Sequence, residues 1–180
     1  IWGSFGKCWK GMVIYMKNIV LIGMPGAGKS TVGVVLAKNM GMSFMDSDLV
    51  IQEQEGKKLH EIIEECGSDG FLKVEERINA SLNPTNTVIA TGGSVVYGAK
   101  AMEHLREIGT VCYLKLSYKS IRDRLGDLAQ RGVVLKNGQT LLDLYEERTP
   151  LYEKYAQITI DCENKNIREV VGEIARIAKR

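Results

Sequence analysis

Long hydrophobic runs, paired cysteines and a marked excess of one charge are all missing from this 180-residue sequence. No apolar stretch approaches the roughly 20 residues that a membrane-spanning helix needs. A signal peptide needs an apolar run of at least about seven residues, and the longest one near the N-terminus, residues 12–16, is shorter. We therefore expect no membrane partner and no export signal.

The cysteines show no spacing typical of a metal site or a disulfide framework. Cys8, Cys66, Cys112 and Cys162 are scattered, and the two histidines fall inside helical patterns. Isolated thiols in a chain of this size are typical of a reducing compartment. We expect free cysteines and a cytoplasmic location.

Charge is nearly balanced, with 24 Lys and Arg against 22 Asp and Glu. Two of the lysines lie in residues 1–15, which contain both tryptophans and show no helical or alternating periodicity. We predict that residues 1–15 are a leader or extension preceding a natural start at Met16, with a docking strand as the alternative. Residues 16–180 then form one domain, expected to be a monomer. Its balanced charge argues against a nucleic-acid partner.

Short β-rich runs alternate with longer helical patterns along the whole domain. The predicted strands are 17–23, 43–46, 87–91, 110–116 and 157–161. The predicted helices lie near 29–40, 59–66, 69–82, 98–108, 118–125, 140–148 and 167–179. This alternation predicts an α/β fold, in which helices cover both faces of a parallel sheet.

Residues 126–139 break this rhythm. The segment contains three glycines and an Asn-Gly turn signal but no clear period. A loop of this length inside a compact domain is usually functional. We predict a lid here, with a surface connection as the alternative.

The first motif is a phosphate-binding loop. Residues 23–30 read GMPGAGKS, which fits G-x-x-x-x-G-K-[ST], with an apolar strand before it and a helical pattern after it. Glycines allow the backbone N–H groups to point at phosphates, and the helix N-terminus adds positive charge. In such loops the lysine, here Lys29, reaches the β- and γ-phosphates, and the hydroxyl, here Ser30, binds Mg²⁺. We therefore predict that the phosphates of a nucleotide are bound by Gly26, Ala27, Gly28, Lys29, Ser30 and Thr31.

This loop alone leaves the reaction open. A GTPase, a nucleotide kinase and a metabolite kinase are all compatible with it, although no N-K-x-D-like guanine motif is present. A second motif, Asp46 and Asp48, ends the second predicted strand. On an extended segment the two carboxylates point the same way, so one is suited to hold Mg²⁺ and the other to accept a proton from an attacking hydroxyl. Exposed turn acids are the alternative.

Together the motifs resemble the shikimate kinase family. The matching pieces are the glycine loop 23–31, F-x-D-x-D at 44–48, residues 71–75, Thr91-Gly92-Gly93, Arg131 and R-x-P-x-Y at 148–152. The resemblance covers residues 17–180 with the order and spacing of every motif kept. It implies a P-loop kinase fold, which is a five-stranded parallel sheet flanked by helices, with a lid. The implied reaction is the transfer of the γ-phosphate of ATP, with Mg²⁺, to a hydroxyl of shikimate in aromatic amino acid biosynthesis.

The resemblance also implies roles for individual residues. Asp46 matches the acid associated with the metal, and Asp48 matches the acid that contacts the acceptor hydroxyl. Gly92 and Gly93 match the glycines whose backbone approaches the substrate. Arg131 matches the lid arginine that reaches the transferring phosphate, where negative charge must be stabilised.

For two further arginines, the role that the resemblance implies has an alternative interpretation. Arg124 matches the residue that stacks on adenine, although a lone arginine on a helix is normally solvated. Arg148 matches the arginine that binds the acceptor's carboxylate, and a surface ion pair with a neighbouring glutamate is its alternative. Because proline cannot continue a helix interior, we predict a break at Pro150, with Thr149 as the N-cap of a new helix.

Two departures from the family concern the acceptor. Leu72 stands where the family has an arginine that holds the acceptor carboxylate and pairs with the acid matching Glu75. Ser94 stands where the family usually has a third glycine. These changes leave another small hydroxylated metabolite as the alternative acceptor for the same transfer. An alternative from another class is a non-catalytic switch protein that only binds ATP.

Overall fold

The structure, a computed structural model, describes residues 17–125 and 138–178. The predicted leader 1–15, Arg131 and all but the last two residues of the predicted lid lie outside these ranges. The predictions made for them therefore stay predictions.

Five strands form one parallel sheet in the order β2-β3-β1-β4-β5. They are β1 (Asn18–Ile22), β2 (Ser43–Asp46), β3 (Thr87–Ala90), β4 (Gly109–Lys115) and β5 (Ile158–Asp161). Every residue of β1 and β3 is buried, so the centre of the sheet is covered on both faces. All five predicted strands are confirmed, with bounds that differ by no more than one residue.

The connection that leaves β1 leads to one edge of the sheet, and the connection that leaves β4 leads to the other edge. In such sheets the carboxyl ends of the strands open a crevice at this reversal, where ligands bind. The loop that follows β1 is the predicted phosphate loop. The topology thus places this loop at the point where a ligand site is expected.

Seven α-helices and one short 3₁₀ helix, Val95–Tyr97, lie within the described residues. The α-helices are α1 (Lys29–Met40), α2 (Ser47–Glu55), α3 (Leu59–Asn79), α4 (Ala99–Ile108), α5 (Tyr118–Leu125), α6 (Leu141–Tyr155) and α7 (Ile167–Ala178). None of the helices in ranges 17–125 and 138–178 has the length and apolar character needed to cross a membrane.

Two helical predictions were incomplete. The helices predicted at 59–66 and 69–82 join as α3, with a kink at Gly67, whose φ of 70° and ψ of 176° are not helical. Glycine adopts this conformation without the steric penalty that a Cβ would bring. Helix α2 was not predicted, because its apolar residues follow no clear helical period.

The predicted break at Pro150 was wrong. Helix α6 runs through Pro150 without interruption to Tyr155. A proline inside a helix removes one backbone hydrogen bond. Tyr152 and Tyr155, in the turn beyond the proline, are both buried, and the burial of two aromatic side chains offsets that loss.

A small cluster of apolar side chains packs apart from the main core. It consists of Ile51 of α2 and of Ile62, Phe71 and Ile78 of α3. Helices α2 and α3 therefore form a layer with its own packing beside the carboxyl end of β2.

Candidate active site

The phosphate loop connects β1 to α1. Gly26 and Gly28 have φ angles of 79° and 89°, which are left-handed conformations that favour glycine. The Ala27 N–H donates to the Met24 carbonyl at 3.1 Å, which holds the loop in a tight curl. The first N–H groups of a helix have no partner within the helix, so the start of α1 is suited to bind phosphate oxygens.

Lys29, the first residue of α1, is buried beneath this loop. Its Nζ donates to the carbonyls of Gly23 at 2.8 Å and Met24 at 3.0 Å. Burial lowers the pKa of Lys29 to about 8, while the negative charges of Asp48 and Asp46 oppose the shift. The lysine is thus held where its charge can act on a bound phosphate.

Asp46 connects the loop to α2. The Ser30 hydroxyl donates to its Oδ2 at 2.7 Å, and the Asp48 N–H donates to its Oδ1 at 3.0 Å. Asp46 is the last residue of β2 and the N-cap of α2, whereas Asp48 lies in the first turn of that helix. The expectation that both acids share one extended segment was therefore wrong, because the helix begins at Ser47.

Two carboxyl groups converge on Gly92. A Cβ placed on Gly92 would lie 2.8 Å from Asp48 Oδ1 and 2.5 Å from Glu75 Oε1. Burial and the nearby Asp46 raise the pKa of Asp48 to about 6, with Lys29 opposing. Glycine at this position gives both carboxyl groups room to approach the same point.

Arg148 lies in α6 and is buried, with 3% of its surface exposed, so the alternative of a surface ion pair was wrong. Its Nε donates to the Tyr97 hydroxyl at 3.2 Å, and the guanidinium lies 5.2 Å from the centre of the Tyr97 ring. The Tyr152 hydroxyl donates to the Gly93 carbonyl at 2.6 Å. A Cβ on Gly93 would lie 3.2 Å from Arg148 Nη1, so these groups are closely packed.

The phosphate loop, Asp48, Glu75, Gly92, Gly93 and Arg148 line one cavity of about 580 Å³. Of the predicted site residues, its walls include Gly26, Gly28, Lys29, Ser30, Thr31, Asp48, Gly92, Gly93, Arg124 and Arg148. Asp46 joins them through its hydrogen bond to Ser30. Most of the predicted site residues are therefore brought together, and Arg131 alone lies outside the described residues.

A second cavity, of about 400 Å³, adjoins the first. It shares Gly28, Thr31 and Arg124 with the first cavity and is also lined by Ala27. Its far wall is formed by Cys162, Lys165, Asn166, Ile167 and Val170. The sequence analysis missed this wall, because a turn after the last strand carries no motif.

Three residues of the first site were also missed as site residues. Glu75 lines the cavity. Its signal in the sequence was its spacing: it follows the apolar Phe71 by four residues, so it is an acid on the apolar face of α3. Tyr152 belongs to the R-x-P-x-Y motif, so the motif itself was a signal. Tyr97 had no signal in the sequence.

The chain is similar to known proteins over most of its length. A family model described as "Shikimate kinase" matches residues 25–179. The shikimate kinase of Persephonella marina is 36% identical over 160 residues, which cover 88% of this chain and 97% of the relative. That of Sulfurihydrogenibium sp. is 36% identical over 166 residues, which cover 92% and 99%.

Solved structures agree with the sequence relatives. The shikimate kinase from Acinetobacter baumannii in complex with shikimate matches with a TM-score of 0.81 and 32% identity, over 90% of this chain and 92% of that one. The shikimate kinase from Aquifex aeolicus matches with a TM-score of 0.75 and 30% identity, over 90% and 95%.

Proposed function

This chain belongs to the shikimate kinase family and is an ATP-dependent kinase, and we propose that the hydroxyl group it phosphorylates belongs to shikimate. The observation that carries this proposal is the shared cavity, in which the phosphate loop, Asp48 and Arg148 face one another. One small molecule in this cavity can then reach three groups: ATP bound at the phosphate loop, Asp48 as the proton acceptor, and Arg148 as the cation that binds an acidic substrate. The alternative of a non-catalytic switch is not supported, because the relatives are named as kinases.

The donor half of the site is formed by the glycine loop. In this proposal the backbone N–H groups of residues 26–31 and the Lys29 ammonium bind the phosphates of ATP. Adenine then occupies the second cavity, where Arg124 stands at the junction with the first. The guanidinium of Arg124 is suited to stack on an aromatic base.

Ser30 and Asp46 fit a magnesium site. Their oxygens lie 2.7 Å apart, and Mg²⁺ prefers oxygen ligands and usually retains several waters. Across residues 17–125 and 138–178, no three His, Cys, Asp or Glu side chains converge as a metal site. Ser30 and Asp46 would therefore hold Mg²⁺ together with water and phosphate oxygens, where the ion neutralises charge on the phosphates.

The half of the cavity that binds the acceptor is formed by Asp48, Gly92, Gly93 and Arg148. Asp48, when ionised, orients the attacking hydroxyl and accepts its proton. Its raised pKa brings its basicity closer to neutral pH, which favours proton transfer. Arg148, whose side chain is held in place by the Tyr97 hydroxyl, binds the carboxylate of shikimate. The backbone of Gly92 and Gly93 lines the cavity beside it. Arg131 remains the predicted residue that stabilises the transferring phosphate.

We also place the enzyme in the cytoplasm as a monomer. Cys66, Cys112 and Cys162 are free thiols, which supports a reducing compartment.

Steady-state kinetics coupled to ADP release test the proposed function. We expect saturation by shikimate, and a higher kcat/KM with shikimate than with other hydroxylated acids or polyols. Saturation only above tens of millimolar shikimate, together with clear preference for another metabolite, would show that the acceptor is different.

The Leu72→Arg variant tests the first departure from the family. Leu72 is half-buried in α3, next to Phe71, which lines the cavity. A guanidinium there adds a charge-assisted hydrogen bond, worth about 1.5–3 kcal/mol, so the KM for shikimate should fall by roughly ten- to hundredfold.

Lys73→Arg is the matched control, because Lys73 is the exposed neighbour of Leu72. It should leave the KM for shikimate unchanged. An unchanged KM in the Leu72→Arg variant, or an equal fall in both variants, contradicts the placement of residue 72 beside the acceptor.

A further inference from the structure

We propose that two phenols, those of Tyr97 and Tyr152, hold the Arg148 guanidinium in place without neutralising it, and that this neutral support makes the site select acceptors with a negative charge. The inference rests on the proposed function, since it concerns the half of the cavity that binds the acceptor. It makes Tyr97 and Tyr152 positioning residues, which act on the acceptor through Arg148.

Arg148 is a buried cation without an ion pair in the part of the chain that the structure describes. Only 3% of its surface is exposed, and it forms part of the cavity wall. The ion pairs found within residues 17–125 and 138–178 do not include it, although Asp48 and Glu75 line the same cavity. Buried charges in proteins are normally paired, so we expect the counter-ion of Arg148 to come from the cavity.

Tyr97 binds one edge of the guanidinium. Arg148 Nε donates to the Tyr97 hydroxyl at 3.2 Å, and the guanidinium lies 5.2 Å from the centre of the Tyr97 ring, a distance at which a cation is attracted to the ring. Burial raises the pKa of Tyr97, the hydrogen bond from Arg148 opposes the rise, and a hydrogen bond with Glu147 adds to it. Because the bond with Glu147 raises the pKa, the phenol is its donor, and the phenol oxygen can accept from Arg148.

Tyr152 supports the guanidinium from the same helix. It follows Arg148 by four residues in α6, and side chains at this spacing are neighbours on a helix surface. Burial raises the pKa of Tyr152, while the charge of Arg148 and a hydrogen bond between the two side chains oppose the rise. Arginine only donates, and the Tyr152 hydroxyl gives its own proton to the Gly93 carbonyl at 2.6 Å. The Tyr152 oxygen therefore accepts from Arg148.

Both phenols are attached to well-packed parts of the fold. Tyr97 ends the short 3₁₀ helix, whose first two residues are each 1% exposed. Tyr152 is fully buried and stacks on Tyr113, with the ring centres 5.2 Å apart. The orientation of the guanidinium is therefore set by side chains that are themselves held by packing.

The neutrality of this support has a consequence for selectivity. Both phenols have a raised pKa, so they are uncharged at neutral pH and cancel none of the charge of Arg148. A guanidinium has five N–H donors, and two phenol oxygens leave enough of them for a bidentate bond to a carboxylate. An acceptor without a negative charge would leave the buried cation unpaired, which weakens its binding. The pocket thus rejects neutral polyols as well as binding acids.

The test compares kcat/KM for two acceptors, shikimate and its alcohol analogue, in which CH₂OH replaces the carboxylate. We expect wild type to prefer shikimate. In Tyr97→Phe the guanidinium loses a hydrogen-bond acceptor, so kcat/KM for shikimate should fall by roughly tenfold or more, the range for hydrogen bonds to charged groups. The fall should be seen mainly in KM, and kcat/KM for the alcohol analogue should keep its wild-type value. Tyr152→Phe should also lower the preference for shikimate over the analogue.

Tyr145→Phe is the matched control. Tyr145 lies in the same helix, and its hydroxyl donates to a backbone carbonyl, that of Leu116, at 3.0 Å, as the Tyr152 hydroxyl does to that of Gly93. It lines neither of the two cavities. This variant should lose thermal stability, as Tyr152→Phe does, and keep the wild-type preference for shikimate.

A second background shows whether Tyr97 acts through Arg148. In the Arg148→Met variant there is no guanidinium to orient, so the addition of Tyr97→Phe should leave kcat/KM for shikimate unchanged. A contribution that is only structural would lower it by the same factor in both backgrounds. If the double variant does not fold, as judged by circular dichroism, the comparison of the two acceptors in Tyr97→Phe decides alone.

The outcomes separate this inference from the proposed function. If wild type phosphorylates shikimate but Tyr97→Phe loses the same factor with both acceptors, the phenols do not position Arg148, and the function stands. The same holds if wild type uses both acceptors equally, if Tyr145→Phe lowers the preference as much as Tyr97→Phe does, or if the effect of Tyr97→Phe persists in the Arg148→Met background. If wild type does not phosphorylate shikimate, both proposals are wrong.

Discussion

Replacing Asp48 with asparagine should lower kcat by about 10²–10⁴-fold, the usual contribution of a general base, while MgATP still binds. Asparagine retains the size and the hydrogen-bonding capacity of Asp48 but cannot accept a proton from the acceptor hydroxyl. The phosphate loop keeps its geometry, since the hydrogen bonds of Lys29 go to the carbonyls of Gly23 and Met24. Loss of the Asp48 charge lowers the pKa of Lys29 further, but bound phosphates favour the charged form of the lysine. Calorimetry with MgATP and single-turnover phosphorylation would measure the two effects separately.

The pH dependence provides a second measure of the same group. Because the ionised form of Asp48 is the active one and its pKa is about 6, the wild-type kcat should fall as the pH drops below 6. The Glu53→Gln variant is the control, since Glu53 is an exposed acid in the same helix, α2, and it should behave as wild type. A decrease in kcat of less than tenfold in Asp48→Asn would show that Asp48 is not the general base.

The second large effect is expected from Gly92→Ala. The added methyl would stand 2.5 Å from Glu75 Oε1 and 2.8 Å from Asp48 Oδ1, distances that carbon and oxygen do not tolerate. At least one carboxyl group must move, and a displacement of about 1 Å at a reacting group can reduce the rate by about 10²-fold. We expect this loss in kcat/KM for the acceptor, with the KM for ATP unchanged.

Gly172→Ala is the control for a glycine substitution. Gly172 lies inside α7, and a Cβ there would meet no atom within 4 Å. Alanine is favoured over glycine in a helix by about 1 kcal/mol, so this variant should be fully active and slightly more stable to heat. If Gly92→Ala retains wild-type kcat/KM, the carboxyl groups do not converge as the structure places them.

The sheet and the phosphate loop could be predicted from the sequence because their signals are local. Each buried strand is a short β-rich run, and the loop 23–30 requires its glycines in fixed order. The spatial neighbours of the acceptor could not be predicted in this way. Tyr97 reaches Arg148 across 51 residues of sequence, and no periodicity or motif records a contact between the 3₁₀ helix and α6.

Errors in the prediction have the same origin. Pro150 was expected to end a helix, because a proline costs about 3 kcal/mol in a helix interior. The burial of Tyr152 and Tyr155 decides the outcome, and burial is a property of the assembled fold. Asp48 was expected on an extended segment, because an aspartate such as Asp46 is common both in turns after a strand and at a helix N-cap, and the local sequence does not decide between the two.

The separate packing of α2 and α3 has a consequence for how acceptor preference can change over time. Ile51, Ile62, Phe71 and Ile78 pack with one another rather than with the main core, and α3 carries Leu72 and Glu75 on the acceptor side of the site. Substitutions in this layer can therefore accumulate without straining β1 or the loop that follows it. The fold keeps its machinery for phosphoryl transfer constant while it leaves the choice of alcohol open to drift and selection.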